Sequence, residues 1–197
     1  MKMRKARFDI PCLELEWQAT EIPQPVMLWG AISRAKMPPG VTTCFYTNRY
    51  RFNVLVKDTT KLVKSQPGAC VELAIPQNGR WDLAQAIYWT YQRRHASWIW
   101  GMAGIPILVD LTPDRVKLTL EGVPKGWRAY AMRAYPGSHV ANFERRRKAA
   151  IRHAGTDDIL MLVYGGGHKA HVWAHQYDYE WVDEFLRSER ILASKRQ

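Results

Sequence analysis

The sequence predicts an α/β domain on a mostly parallel sheet of about five strands with helices on both faces, either doubly wound or a partial barrel. Three observations carry that expectation. Apolar runs of strand length recur at residues 41–46, 69–75, 105–111, 127–135 and 159–164, four of them near-continuous, as in strands buried on both faces. Helical patterns fill the gaps between them. The runs start 22 to 36 residues apart, the size of a strand–helix–strand crossover. Eight such units do not fit into 197 residues, so a complete eightfold barrel is not expected.

In chain order, residues 1–40 read as an irregular N-terminal segment punctuated by Pro11, Pro23, Pro25, Pro38 and Pro39, with one short strand at 26–29. Residues 41–197 read as a single α/β domain. A short helix is expected within 51–64 and a long one over 81–100, where Asp82 can cap the amide of Gln85 and Gly101 and Gly104 end the run. The next stretch fits two patterns: Thr112-Pro113-Asp114 opens like a helix, while Val116, Leu118 and Leu120 alternate like a strand. A helix over 139–154 has Ser138 to cap it and Gly155 to end it, and a last helix is expected from about 178 to 192.

Lys plus Arg number 29 against 18 Asp plus Glu, a net charge of +11. A surplus of this size favours polyanionic partners, chiefly nucleic acid. It is concentrated: residues 125–153 hold eight basic residues against Glu144 alone. The candidate nucleic-acid contacts are Lys125, Arg128, Arg145, Arg146, Lys148 and Arg152, with Arg145, Lys148 and Arg152 on one helical face. Arg93 and Arg94 join them beside an aromatic stripe of Tyr88, Tyr91, His95 and Trp98, which suits either base stacking or core packing. Arg147 falls on the apolar side of its helix and needs a partner, Asp157, Asp158 or a ligand.

Three cysteines, Cys12, Cys44 and Cys70, include no Cys-x-x-Cys pair, which argues against a cysteine zinc site or a disulfide framework. The basic start is followed by acids instead of a signal-peptide core, and the longest apolar stretch, 98–109, is too short to span a bilayer. The expected setting is the cytoplasm, without a membrane partner.

In parallel sheets ligands sit outside the carboxyl ends of the strands. That rule nominates Asn48, Asn78, Asp110, Tyr135, Tyr164, Gly165 and Gly166 as pocket residues, with Arg51 beside them. Asp110 emerges from the run Ile-Pro-Ile-Leu-Val, so it is a candidate general base or metal ligand, and equally a cap for the turn that follows. His168 is the second catalytic candidate. The triple glycine 165–167 lets a backbone approach a phosphate but lacks the Lys-Ser/Thr ending of a phosphate-binding loop. His168, His171 and His175 would share a helix face suited to zinc, although the glycines and Val172-Trp173 argue against a helix there. The cofactor, like the substrate, is left unknown by these residues.

The segments TNRYRF (47–52), IYWTYQRRHASWIWGMAGIPILVDL (87–111), EGVPKGWRAYAM (121–132) and ILMLVYGGG (159–167) resemble domain-of-unknown-function family 4417 of phages, plasmids and bacterial chromosomes. The resemblance covers about residues 45–167 and departs at Asn48, where members tend to have Asp. It implies a mobile-element setting, hence a host cytoplasm for a phage-encoded protein, and supplies no activity. Matched motif positions are Asn48, Arg49, Arg51, Gly122, Pro124, Gly126, Tyr164 and Gly165.

Three functions therefore stand. The first is a phage- or plasmid-type accessory protein that binds nucleic acid through its basic surface without catalysis. The second is an enzyme acting on a phosphorylated or nucleotide-like substrate at the strand ends. The third is a protein-binding subunit of a larger assembly.

Overall fold

The computed structural model describes residues 3–30, 37–47, 53–74, 82–111 and 116–184. Seven parallel strands form one sheet in the order of the chain: β1 (Val26–Leu28), β2 (Thr42–Cys44), β3 (Ala69–Val71), β4 (Ile107–Asp110), β5 (Ala129–Ala134), β6 (Leu160–Gly165) and β7 (Glu180–Val182). Each strand pairs in parallel with the next. The helices are α1 (Asn53–Lys57), α2 (Thr60–Val63), α3 (Leu83–Met102), α4 (Val116–Thr119), α5 (Val140–Ala154) and α6 (Gly167–Gln176).

The α/β class and the parallel sheet are as expected; the strand count is seven, not about five. The N-terminal segment supplies β1, and β7 lies where a helix was expected from 178. A strand order that never reverses is that of a barrel and not of a doubly wound sheet, and three contacts show how far the sheet curls. The rings of Tyr46, just past β2, and Tyr164, in β6, are 5.3 Å apart, though four strand spacings in a flat sheet amount to about 19 Å. The Tyr46 hydroxyl reaches Asp110 at the end of β4. Gln24 Nε2, two residues before β1, donates to Glu180 Oε1 of β7 at 2.9 Å. Among the described residues β1 and β7 share no ladder, so side chains bridge this seam.

Strand register sorts the side chains by face. Cys44, Val71, Leu108, Asp110, Ala131, Arg133 and Tyr164 point into the curl. The opposite face meets helices: the Tyr130 hydroxyl, which donates to Trp127 O at 2.6 Å, lies 3.4 Å from Ala150 O of α5, and Trp181 packs on His171 of α6. Aromatic residues anchor the β1–β2 end, where Phe45 stacks on Trp100 with centroids 5.6 Å apart and the Trp100 indole donates to Thr59 O. Burying side chains of this size stabilises the fold by about 2–3 kcal/mol each.

Helix boundaries follow local chemistry. Asp82 accepts from the Gln85 amide at 2.8 Å and starts α3. The helix continues through Gly101, whose bare Cα lets the Trp17 ring lie against it. For α5 the residue at the capping position is His139, which makes no side-chain cap; Ser138 Oγ instead accepts from the Tyr135 amide at 3.3 Å. Gly155 ends α5 in the left-handed region at φ +75°. Of the two-pattern stretch, Val116–Thr119 is helix α4, while 112–115 lie outside the described residues; the helix expected within 51–64 is the pair α1 and α2. No described helix is long and apolar enough to cross a membrane.

Candidate functional site

The carboxyl ends of the strands gather charge. The Asp110 carboxylate accepts from the Tyr46 hydroxyl at 2.7 Å and from Arg93 Nη1 at 3.4 Å, and Arg93 also donates to Asp110 O at 3.2 Å. Arg94 lies beside it, its Nη1 2.5 Å from Glu72 Oε1 and its other donors on Thr119 O and Glu121 O. Glu72 Oε2 in turn accepts from the Asp110 amide at 3.3 Å. Arg146 comes from α5 and donates through Nη1 to Leu111 O and Arg133 O. All of these side chains are buried.

Burial sets their protonation. It pushes the Asp110 carboxyl above its usual range, against the pull of Arg93 and the Tyr46 hydrogen bond. The Tyr46 phenol lies well above its ordinary value through burial and then the Asp110 charge. Burial lowers Arg94 to about 10, with Glu72 opposing, and lowers Arg146 with Asp110 opposing. Both Asp110 oxygens are engaged, so the group ties β2, β4 and α3 together before it can serve any ligand.

This overturns part of the basic surface. Arg93 and Arg146 are 1% exposed and Arg94 is fully buried, so none of the three can meet a polyanion from solvent. The buried face of α3 carries Ala86, Thr90, Arg93, Ser97 and Trp100; the aromatic stripe lies to its side, with Tyr88 51% exposed. Arg147 finds other partners than Asp157 or Asp158. Its Nε donates to the Tyr179 hydroxyl at 3.0 Å, its guanidinium lies 3.9 Å from the Tyr177 ring centroid, and Glu144 is 3.9 Å from Nη1.

What remains exposed is coherent. Arg145, Lys148 and Arg152 stand on the solvent face of α5. Lys125, also exposed, belongs to the turn that docks on the foot of α5, where Gly126 N donates to His153 O at 3.2 Å. Arg128 is exposed and pairs with the still more exposed Asp158. The one acid inside α5, Glu144, borders this stripe one turn before Lys148, and its carboxylate accepts from the Trp173 indole.

Of the pocket residues, the structure brings Asp110 and Tyr164 to the same face of the sheet, joined through Tyr46. Tyr135 stacks under the Arg133 guanidinium at 4.8 Å, and Arg133 pairs with Glu184 at 3.2 Å. Asn48, Arg51 and Asn78 lie outside the described residues. Gly165 and Gly166 have left-handed backbones, and a Cβ on Gly166 would lie 2.5 Å from Ala134 Cβ and 2.7 Å from Ala170 Cβ. These glycines serve the packing of β6 on its neighbours before any ligand.

His168 is exposed in the first turn of α6 and is not joined to Asp110 by any contact among the described residues. It lines a groove of about 540 Å³ between the connections after β5 and β6, together with Ser138, His139, Lys169 and Val172. The segment holding His168, His171 and His175 is a helix, contrary to expectation, but all three are exposed, and no group of three or more His, Cys, Asp or Glu among the described residues could hold a metal ion. Sequence reasoning missed Tyr46, Glu72 and Arg133. Glu72 had left a signal, a carboxylate inside the apolar run 69–75.

No family model, no curated protein and no solved structure matches this chain.

Proposed function

We infer that the protein binds nucleic acid along the exposed face of α5, without catalysis of its own. The observation that carries this reading is the exposed stripe Arg145, Lys148 and Arg152, continued by Lys125, with the one acid of the helix, Glu144, engaged by the Trp173 indole and Arg147. Seven residues of helix rise about 10 Å, a length over which one strand presents about three phosphates. The overall charge of +11 draws a polyanion to this face. A phage or plasmid setting, implied by the resemblance to family 4417, belongs to the same proposal.

The test is a salt titration of oligonucleotide binding. The logarithm of affinity falls linearly with the logarithm of salt concentration, and replacing Arg145, Lys148 and Arg152 by Glu removes binding while the circular dichroism spectrum stays unchanged. Binding that ignores salt, or that survives the triple replacement, overturns the reading.

A second reading rests on the groove after β5 and β6. His139, His168 and Lys169 border a cavity of about 540 Å³ at the carboxyl ends of the strands, where barrel enzymes hold phosphorylated substrates. Titration with a sugar phosphate separates the two: a shift of the His168 ring resonances supports the groove, and none removes it.

A further inference from the structure

At the opposite end of the sheet, below α5, lies a second cavity of about 490 Å³. Leu120, Val123 and Pro124 supply its apolar wall over the fully buried Leu13, and Lys117 and Lys125 stand on its rim. Both lysines are exposed and make no ion pair among the described residues. Arg4 also borders it but is neutralised by Glu14, and the half-buried Glu121 is the acid of the lining.

We propose that this cavity binds one nucleoside phosphate unit, its base against the apolar wall and its phosphate between Lys117 and Lys125. Size and chemistry agree: the volume suits a small ligand, a flat base needs an apolar slot, and its phosphate needs cations at the mouth. The floor is fixed in advance. Leu13 N donates to Gly122 O at 2.8 Å, and the bare Cα of Gly122, at φ +76°, lies against Pro11 O; a preformed slot loses little entropy on binding.

The cavity is also continuous with the α5 stripe. Arg152 and His153 are neighbours in the last turn: Arg152 points to solvent, and His153 turns inward to Pro124 O at 3.0 Å and lines the cavity. A strand lying on the stripe is thereby led to the slot, which takes an unstacked base or a strand end and is closed to a paired, internal one. In this form the inference rests on the nucleic-acid reading; a free nucleotide is the other source of the same chemistry.

Cys12 gives the measurement. It lines the cavity and is half-buried, whereas Cys44 and Cys70 are fully buried, so a maleimide reports on Cys12 alone in the native protein. A short single-stranded oligodeoxythymidylate and thymidine monophosphate should each slow its labelling several-fold. A covalently closed duplex should not, and Lys117→Glu should abolish the protection while leaving oligonucleotide binding to the stripe. Oligonucleotide binding with unchanged Cys12 labelling overturns the cavity and spares the stripe. Protection by the mononucleotide without any oligonucleotide binding overturns the stripe and assigns the cavity to a free nucleotide. Equal protection by inorganic phosphate overturns the role of the base.

Discussion

Arg94 of α3 holds Glu72, just past β3, at 2.5 Å, both side chains fully buried. The pair joins the longest helix to the sheet, and two backbone carbonyls, those of Thr119 and Glu121, complete the guanidinium's partners. Removing Arg94 leaves Glu72 charged in the interior with only Arg93, 4.0 Å away, and the Asp110 amide to answer it. Arg94→Met should therefore cost about 3–5 kcal/mol in urea unfolding, and the double variant Arg94→Met with Glu72→Met should recover most of it. An Arg94→Met protein that keeps its stability would return Arg94 to the surface role first expected of it.

The middle of the sheet was legible because its strands are apolar, near-continuous and separated by crossover-length connections. β7 was not: Glu180–Val182 is three residues long and sits among acids, where neither length nor pattern marks a strand. α6 was hidden by the glycine run 165–167, which ends β6, makes the tight passage from it and opens the helix. The buried arginines were misread for a different reason. Periodicity places Arg93 and Arg94 on helix α3, but only the carboxylates of Glu72 and Asp110, distant in sequence, make burial tolerable. A carboxylate inside an apolar strand is the sequence signal for such a partner.

Arg145 and Arg146 separate surface from interior within one peptide bond. Arg145 is exposed, so Arg145→Ala should change stability by less than about 0.5 kcal/mol and reduce the salt slope of oligonucleotide binding by about 0.7–0.9. Arg146→Ala empties a site where Leu111 O and Arg133 O accept its donors, and about 2–4 kcal/mol of stability should go with it. Circular dichroism melts and fluorescence anisotropy across a salt series measure both arms. Equal effects of the two substitutions would contradict the placement of α5.

Two glycines with the same backbone hand should respond differently to alanine. Gly155, at φ +75°, has nothing within 4 Å of an added Cβ, so Gly155→Ala bears only the left-handed strain, about 1–2 kcal/mol. Gly166, at φ +79°, would also force a methyl to 2.5 Å from Ala134 Cβ, and this overpacking adds about 1–3 kcal/mol. Urea midpoints rank the two; a milder effect at Gly166 would mean that β5 and α6 are not in close contact at that point.

His153 makes stability depend on pH. Burial, aided by the Lys125 charge, lowers its imidazole below the ordinary 6.5, while hydrogen bonds to the Pro124 and Val123 backbone oppose the shift. The unfolded chain therefore takes up a proton near pH 6.5 that the native chain still refuses. The stability from the neutral ring is whole above that pH and is lost as pH falls through the lowered native value. His153→Gln keeps a donor for Pro124 O but cannot titrate. The free-energy gap between wild type and this variant should thus move in the variant's favour between pH 7.5 and pH 5, as read from urea unfolding at each pH. A gap that stays constant over this range would place His153 in water, away from the foot of α5.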